Sequence, residues 1–514
     1  MSLKTDDSGL TWRTAGGQTE TIPFADVIKI CYQDEPDTKK TSSTSKKVNY
    51  FGKTKGSPSI KKCAADLTDD TPVKTEPVND SRDKLSSVKH SVEDSEKMVA
   101  PAVEDLKLID SNSQTLVLSY IKHGANRRMF ISEENFTMEP QESQEVLQTV
   151  KERLKNVQRP RKLMVLVNPY SGAGNASKIL SSAKSIFEIA GISCDITILS
   201  ETNDLPTVIQ NKDLAQFNGV VVVGGDGSVS QTVTCLMQKV QKDDSIEVDD
   251  PPSNPGKQCP LPIGIIPAGT GNMMVKMLHG NDDIITATLH IIRGFHQSSN
   301  MYSIYQDGEL SLYSVLMIGF GFSGELIKSS LSKKWMGSAK YLFSLLACLF
   351  SKRQPLKLKL SYRLVRDTDT SCEIDGDTDN INASRANEEE EKWVTIEDDV
   401  QGIESFLVSL MESGPTLKYS FGENSGQLFI IKKCSLGEHM KFYSHLKNNK
   451  PSVFGLNYVD CVQMSSCRIE LVEPNLISNR NVYLNCDGEL LTITSNVIDI
   501  RFHYCGLRIF SSPT

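Results

Sequence analysis

The sequence predicts an α/β domain with a parallel sheet, followed by a mostly antiparallel β-sandwich domain and preceded by a small β-rich module. Between residues 160 and 298, short apolar runs alternate with helical stretches, which is typical of parallel strands joined by right-handed crossovers. The run Gly219–Val223 is entirely apolar, as a strand buried on both faces of a parallel sheet is. After about residue 300 the pattern changes to short strand-like segments, which indicates a separate β-rich domain.

The two larger domains have distinct sets of predicted strands. The strands of the α/β domain are predicted at Leu163–Val167, Cys194–Ile198, Gly219–Val223 and Pro262–Ile266. Those of the second domain, residues 299–514, are predicted at Tyr313–Ile318, Leu356–Leu364, Gln427–Lys432, Cys467–Val472, Val482–Asn485 and Val497–His503. An acidic stretch from about residue 367 to 399 interrupts the second domain, and we expect it to be a solvated, disordered insert.

The N-terminal module, residues 1–155, combines strand-like segments with one helix. Glu20–Tyr32 and Lys107–Lys122 read as strands, and Gln141–Lys155 carries apolar residues at helical spacing. Residues 36–100 between the strands are rich in Lys, Ser, Thr and Asp, so they cannot bury enough apolar surface to offset the entropy of ordering. This segment is therefore predicted to be a disordered insert, and residues 156–161 a linker.

Composition restricts the class of protein and its location. The net charge of −8 argues against nucleic acid as a main partner, since such proteins usually present a basic face. The 12 cysteines show no CxxC pair, which favours reduced thiols in the cytosol. No secretory h-region is evident at the N-terminus, and the apolar run Tyr341–Phe350 is half the ~20 residues that a membrane-spanning helix needs. A cytoplasmic protein, soluble or peripherally associated with membranes, is expected.

Three glycine-rich turns each follow a predicted strand of the α/β domain. They are Asn168–Gly174 (NPYSGAG), Gly224–Ser228 (GGDGS) and Pro267–Asn272 (PAGTGN). Because ligands of open α/β sheets bind beyond the carboxyl ends of the strands, we expect the three turns to converge on one crevice. Small residues let the backbone approach a phosphate, although the first turn lacks the Gly-Lys-Ser/Thr ending of a Walker A loop.

Asp226, in the second turn, is the first candidate for chemistry. A carboxylate at this edge can hold Mg²⁺ or accept a proton from an attacking hydroxyl. The structural alternative is that Asp226 only caps the next helix. In contrast, Gly319–Gly324 (GFGFSG) matches the dinucleotide pattern GxGxxG but lacks an acidic residue about 20 positions later at a strand end, so we do not expect it to bind NAD.

The three turns in this order resemble the diacylglycerol/sphingosine/ceramide kinase superfamily over roughly residues 160–514. Tyr313–Lys328, Lys433–Ser435 and Asn485–Glu489 are most similar to the ceramide kinases, and Thr286–Gly294 is also similar to the ceramide kinase-like proteins. The resemblance implies a lipid kinase that uses ATP and Mg²⁺ to phosphorylate the primary hydroxyl of ceramide or a related sphingolipid at a membrane surface. The N-terminal module resembles a pleckstrin-homology domain, although it lacks the usual tryptophan in its helix.

The resemblance also implies roles for individual residues. Asp226 matches the catalytic or Mg²⁺-linked acid, Glu489 matches a candidate general base, and Glu325 stands where an Asp holds the lipid head group. Which of Asp226 and Glu489 takes the proton is left open. The positions that match nucleotide-binding residues are Asn168, Ser171, Gly172, Gly174, Ser200, Gly224, Gly225, Gly227, Gly269, Thr270, Lys340, Asp487 and Gly488.

Departures from the family pattern keep alternatives open. Ala173 replaces a Lys of the first turn, Gln231 replaces a Glu after GGDG, and Lys340 stands where an Arg reaches the ATP phosphates. One alternative is a kinase acting on sphingosine or diacylglycerol. Another is a catalytically weak, ceramide-kinase-like lipid-binding protein, and a third is a kinase of a soluble substrate of the NAD or sugar-phosphate type.

Overall fold

The computed structural model describes residues 3–33, 113–172, 174–200, 204–243, 258–331, 356–364, 393–407, 409–413, 416–421, 425–473 and 482–512. The predicted disordered insert at 36–100, Ala173, Lys340, the apolar segment Tyr341–Phe350 and most of the acidic insert lie outside the described residues. None of the helices in the described ranges is long and apolar enough to cross a membrane.

The N-terminal module consists of two antiparallel sheets and a helix. Strands β1 to β6 are Leu3–Thr5, Gly9–Arg13, Thr19–Pro23, Val27–Tyr32, Gln114–His123 and Met129–Met138, and helix α1 is Pro140–Lys155. The sheets are β1-β2-β3 and β4-β5-β6. Trp12 lies in the core between them, with its ring edge-on to Tyr120 and Phe136 at centroid distances of 5.4 and 5.7 Å. The predicted helix is confirmed.

The predicted parallel sheet is also confirmed. Strands β7 to β10 are Lys162–Val167, Ser193–Ile198, Gly219–Gly224 and Ile263–Pro267, in the order β8-β7-β9-β10. Helices α2 to α6 are Ala176–Ile189, Leu205–Gln210, Asp226–Asp243, Met273–His279 and Ile284–Arg293. Val220 and Val222 of β9 pack into one core cluster and Val221 and Val223 into another, which explains why this strand is apolar at every position.

The C-terminal half is mainly antiparallel strands. Strands β11 to β22 are His296–Gln306, Glu309–Ser314, Met317–Gly321, Leu356–Leu364, Trp393–Phe406, Ser409–Ser413, Thr416–Ser420, Gly426–Lys432, Val459–Leu471, Tyr483–Cys486, Glu489–Thr492 and Val497–Phe510, and helices α7 and α8 are Phe322–Leu331 and Leu436–Lys447. Two predictions need correction. The single strand predicted at Tyr313–Ile318 is β12 and β13 with a turn between them, and residues 393–399 form part of β15 rather than the acidic insert, because they pair with β14.

The two halves share one mixed sheet. Strand β22 pairs antiparallel with β11 and β19, and it also pairs parallel with β10 through Ile509 and Ile263. The boundary predicted at residue 298 therefore falls inside β11. Strands β15 and β19 each pair with both β14 and β18, so this end of the sheet folds back on itself around a buried apolar core.

The N-terminal module is joined to the α/β domain through buried polar contacts. Asp26 lies 2.9 Å from the guanidinium of Arg293, and both side chains are largely buried. Arg159, in the predicted linker, donates hydrogen bonds to the backbone carbonyls of Val27 and Ile28, and Met129 N–H donates to Thr286 Oγ1. The predicted linker is therefore an ordered part of this junction.

The buried ion pair gives a stability prediction. We expect Arg293→Met to lower the free energy of unfolding by about 3 kcal/mol, because it leaves the Asp26 carboxylate buried with a weaker partner, His123, at 3.2 Å. The matched control is Lys357→Met, which removes a half-exposed pair with Glu397 and should cost less than about 1 kcal/mol. Urea unfolding measures both changes, and equal losses would contradict the importance of this junction.

Candidate active site

The structure brings the three glycine-rich turns into contact at the carboxyl ends of β7, β9 and β10. A Cβ on Gly269 of the third turn would lie 2.5 Å from the Cα of Gly225 in the second. A Cβ on Gly172 of the first turn would lie 2.3 Å from the carbonyl oxygen of Ala268. The absence of side chains therefore allows the three backbones to approach this closely, as the sequence predicts.

Polar side chains hold the first two turns together. Asn168 Nδ2 donates to Ser228 Oγ at 3.0 Å, and the hydroxyls of Ser171 and Ser228 are 3.4 Å apart. Asn168 Oδ1 accepts the Tyr170 N–H and so shapes its own turn. Gly174 has a φ of +76°, in the left-handed region that glycine tolerates. Ser228 makes both contacts to the first turn, but it was not among the predicted site residues.

Asp226 links the second turn to the third. Its carboxylate accepts the N–H groups of Met273 and Met274, each at 3.0 Å, at the start of helix α5. Asp226 is thus a helix cap, but of α5 rather than of the helix that it begins. Burial raises the pKa of Asp226, and the two N–H donors and the nearby charge of Lys276 oppose that rise.

The third turn contains two further residues that sequence reasoning missed. Asn272, with a φ of +50°, accepts the Gly269 N–H through Oδ1 at 2.9 Å. Lys276 Nζ donates to the Gly271 carbonyl at 2.7 Å, which places a cation beside the turn. Thr270 lies between these contacts and is partly buried. An Asn directly after a glycine and a Lys one turn into the following helix were the available signals.

Glu489 comes to this crevice from the opposite end of the sequence. It is the first residue of β21, and it is exposed. A Cβ on Gly227 would lie 2.1 Å from Glu489 Cγ and 2.4 Å from Oε1. The carboxylate of Glu489 therefore lies against the GGDG turn, and the two predicted acids share one site.

Asp487, predicted to contact the nucleotide, lies in the turn between β20 and β21. Its buried carboxylate accepts four hydrogen bonds, from the Ser314 hydroxyl and from the N–H groups of Val315, Leu316 and Met317, at 2.7–2.9 Å. Burial raises its pKa to about 6, and these donors oppose that rise. This carboxylate is therefore bound to the turn between β12 and β13.

Helix α7 carries the predicted head-group residue, Glu325, in its first turn. The helix packs against β20 and against β21, which begins with Glu489. A Cβ on Gly324 would lie 2.2 Å from the Tyr483 carbonyl oxygen of β20. Gly324 of the GFGFSG segment therefore allows the helix to pack closely on the sheet.

The remaining predicted positions are placed as follows. Ser200 follows the end of β8, at the same edge of the sheet as the three turns. Gly488, with a φ of +84°, lies between Asp487 and Glu489 in the turn that joins β20 to β21. Lys340 lies outside the described residues, and Gln231 is exposed on α4.

The residues at the crevice fit Mg²⁺ bound together with nucleotide phosphates. The described ranges contain no group of three or more His, Cys, Asp or Glu that could form a metal site by itself. Mg²⁺ in kinases, however, takes one or two protein carboxylates and completes its shell with phosphates and water. A carboxylate has about four acceptor sites, so Asp226 keeps acceptor capacity beyond its two N–H donors.

A second buried acid lies away from the crevice, in β15. Glu404 is fully buried, and its Oε1 accepts the hydroxyl of Tyr443 at 2.6 Å. The ring of Tyr443 stacks on that of His439, with centroids 5.3 Å apart. Burial raises the pKa of Glu404 from 4.5 to about 8, and the hydroxyls of Tyr443 and Ser323 only partly offset it. Glu404 is therefore mainly protonated at neutral pH.

The part of the chain that contains the three turns is similar in sequence to known proteins. Residues 162–304 match the family described as the diacylglycerol kinase catalytic domain. This match and the relatives described next support an ATP-dependent lipid kinase.

Three curated relatives define the similarity further. Human (Homo sapiens) ceramide kinase is 26% identical over 71% of this chain and 76% of its own length. Human ceramide kinase-like protein is 25% identical over 67% of this chain and 68% of its own length. Sphingosine kinase 1 of Arabidopsis thaliana is 32% identical over 37% of each chain. The resemblance to ceramide kinases and ceramide kinase-like proteins predicted from the sequence is confirmed.

Because Gly227 lies against Glu489, the addition of one methyl group at residue 227 should affect activity. We expect Gly227→Ala to lower kcat of lipid phosphorylation by about 10- to 100-fold, because the new Cβ displaces the flexible Glu489 side chain. The fold should change little in stability. Gly172→Ala is the contrasting variant: its Cβ meets the Ala268 carbonyl at a φ of +59°, so it should lose about 2 kcal/mol of stability. Steady-state kinetics and urea unfolding distinguish the two effects.

Glu404 predicts a specific pH dependence of stability. Its pKa in the folded state, about 8, exceeds its unfolded value of 4.5, so its contribution is fully present below pH 4.5 and is lost as pH rises through 8. We expect Glu404→Gln to remove this slope and to be more stable than the wild type at pH 8 by about 1–3 kcal/mol. Urea unfolding at pH 5 and pH 8 measures the slope, and an unchanged slope in the variant would contradict the assignment.

Proposed function

We propose that this chain is a lipid kinase that transfers the γ-phosphate of ATP to the primary hydroxyl of ceramide, giving ceramide 1-phosphate. The observation that carries this proposal is the contact between Glu489 and Gly227, which joins an acid of the C-terminal half to the phosphate-binding turns. Similarity to ceramide kinase supports ceramide as the substrate, because it covers 71% of the chain, whereas the similarity to Sphingosine kinase 1 of Arabidopsis thaliana covers 37%.

The turns bind the nucleotide by backbone groups. Gly172 and Gly174 precede helix α2, and the unpaired N–H groups of the first turn of that helix favour a phosphate. The absence of side chains at Gly225 and Gly269 lets the second and third turns approach each other, so that their backbone groups lie together at one edge of the sheet. Lys276, whose charge acts on Asp226, adds positive charge at the third turn. Phosphoryl transfer requires mainly this positioning and charge neutralisation.

Glu489 is the better-placed general base. Both carboxylate oxygens of Asp226 already accept backbone N–H groups at the start of α5, whereas Glu489 is exposed at the crevice. In the proposed step the ceramide hydroxyl oxygen forms a bond to the γ-phosphorus, the bond from that phosphorus to the ADP oxygen breaks, and the hydroxyl proton passes to Glu489. Glu325, on the helix that packs against β21, orients the head group.

Mg²⁺ supplies neutralisation of the phosphate charge when it is bound with ATP. Asp226 is the residue that would hold it, with Glu489 beside the same turn. The two N–H donors fix the orientation of the Asp226 carboxylate, which limits the freedom that metal binding must remove. Asp226 is thus assigned to the metal and to the geometry of the third turn.

We propose that the N-terminal module is a pleckstrin-homology-like domain and that the protein associates peripherally with cytoplasmic membrane surfaces. Two antiparallel sheets closed by a C-terminal helix support the first part. Leu147 and Val150 of helix α1 pack into the same core as Trp12, so the helix closes one end of the sheets. A substrate with long acyl chains supports the second part, since such a lipid resides in a membrane.

A second candidate is a catalytically weak lipid-binding protein with the same fold. Its support is the similarity to human ceramide kinase-like protein and the departures at Ala173 and Gln231. Gln231 is exposed on α4, so its replacement of a Glu changes the charge at the surface of that helix. Measured turnover distinguishes this candidate from the active kinase.

The kinase proposal predicts transfer of labelled phosphate from ATP to ceramide in mixed micelles containing Mg²⁺. We expect Glu489→Gln to lower kcat by about 10²- to 10⁴-fold, since it removes the proton acceptor. Asp226→Asn should abolish turnover, because one of the two N–H groups of α5 would then face an amide N–H₂. Glu397→Gln, at a half-exposed carboxylate on β15, is the matched control and should retain full activity.

The acceptor panel separates the alternatives. Transfer to sphingosine or diacylglycerol, with none to ceramide, would change the substrate class. Phosphorylation of NAD in place of every lipid would favour a soluble substrate. No transfer by a folded protein that still binds ceramide would favour the weak lipid-binding relative.

A further inference from the structure

A row of buried residues crosses three strands beneath helix α7. Gly319 of β13 is paired directly with Glu404 of β15 on one side and with Asn485 of β20 on the other, so the three positions share one face of the sheet. Gly319 has no side chain, and Ser323 of α7 uses that space. A Cβ on Gly319 would lie 2.4 Å from both Ser323 Oγ and Glu404 Oε2.

Asn485 connects this row to the turn that carries Glu489. Its Nδ2 donates to Ser323 Oγ at 2.9 Å, and its Oδ1 accepts the Gly488 N–H at 2.9 Å. The side chain is 4% exposed, so water does not compete readily for either hydrogen bond. The planar Asn485 amide donates through its nitrogen and accepts through its oxygen, so it can make both hydrogen bonds at once.

Residues 487 and 488 form the two-residue loop of the hairpin β20-β21. Asp487 and Gly488 both have positive φ, at +55° and +84°, as an Asp-Gly hairpin turn commonly does. Asp487 is held by the turn at residues 314–317, and Gly488 is held by Asn485. Glu489 follows immediately, so its direction is set by these two anchors.

We propose that Asn485 is a positioning residue that fixes the general base relative to the head-group helix. Through Ser323 it holds the N-terminal turn of α7, which contains Glu325, and through Gly488 it holds Glu489. This inference rests on the proposed function, in which Glu325 and Glu489 act on one lipid. The two acids lie on separate elements, and the Asn485 amide is hydrogen-bonded to Ser323 on one element and to Gly488 on the other. The distance between the substrate hydroxyl and the base is therefore set.

Glu404 supports the row from behind. Its Oε1 accepts the Tyr443 hydroxyl, and its Oε2 borders, together with Ser323 Oγ, the space that a Cβ on Gly319 would fill. Ser323 is thus confined between Glu404 and Asn485, which restricts where α7 begins.

The test compares Asn485→Ala, Ser323→Ala and the double variant of the full chain, assayed with ceramide and ATP. We expect Asn485→Ala to lower kcat about 10- to 100-fold with the KM for ATP unchanged within about twofold, since the nucleotide turns are untouched. Ser323→Ala should lower kcat about 3- to 10-fold. The double variant should be no slower than Asn485→Ala alone, because both substitutions break the same connection.

Ser405→Ala is the matched structural control. Ser405 neighbours Glu404 on the same strand, and its hydroxyl is buried and bonded to the Gln427 carbonyl and the Tyr302 hydroxyl. It should lower Tm by about as much as Ser323→Ala while leaving kcat within about twofold. An equal fall of kcat in the Ser405 variant would show that general destabilisation explains the loss and would overturn the proposal.

Hydrogen exchange at the Gly488 amide provides a readout that does not need turnover. Exchange should be at least about tenfold faster in Asn485→Ala than in the wild type, and unchanged in Ser405→Ala. Faster exchange with an unchanged kcat would overturn the positioning role while leaving the kinase proposal intact. Absence of turnover in the wild type would overturn the proposed function and this inference together. Where Asn485→Ala does not fold, Ser323→Ala, which removes a single hydroxyl, decides the result.

Discussion

The crevice depends on the close approach of the backbones of Gly225 and Gly269. With 2.5 Å between a Cβ on Gly269 and the Cα of Gly225, the third turn cannot carry a side chain at this position without displacing the second. The contact allows the Asp226 carboxylate to reach the first two N–H groups of α5. Asp226 therefore caps α5, although it is itself the first residue of α4. The geometry of this edge of the sheet and the orientation of its acid therefore have a common origin.

The C-terminal half contributes to the site as part of the same sheet. Strand β22 pairs with β10 of the parallel region and with β11 and β19 of the antiparallel region, so the two halves cannot move apart without breaking a sheet. Helix α4 adds hydrogen bonds across the junction, from the Ser230 hydroxyl to the Tyr313 carbonyl and from the Tyr313 N–H to Thr234. Glu489 consequently reaches Gly227 from a rigid framework, which is what acid–base chemistry at a fixed distance requires.

Buried polar groups organise the molecule outside the crevice. Asp487 holds the turn between β12 and β13 with four hydrogen bonds, and Asn485 connects α7 to the turn before Glu489. Asp26 and Arg293 connect the N-terminal module to helix α6. Each of these groups is paired, because an unpaired charge or amide in such a position would cost several kcal/mol. The same pairing fixes the relative orientation of the elements that it joins.

The sequence by itself determined the parallel sheet, the three glycine-rich turns and the candidate acids. Gly219–Val223 and the NPYSGAG, GGDGS and PAGTGN segments are local signals, since strand burial and turn geometry depend on neighbouring residues. Glu489 and Asp487, two positions apart in one motif, were both expected at the nucleotide site, Glu489 as a candidate base and Asp487 as a nucleotide contact. Tertiary structure decided that difference, because Asp487 meets four donors from residues 314–317 and Glu489 meets Gly227. Such partners lie 170 or more residues away along the chain, where no periodicity or spacing in the sequence records them.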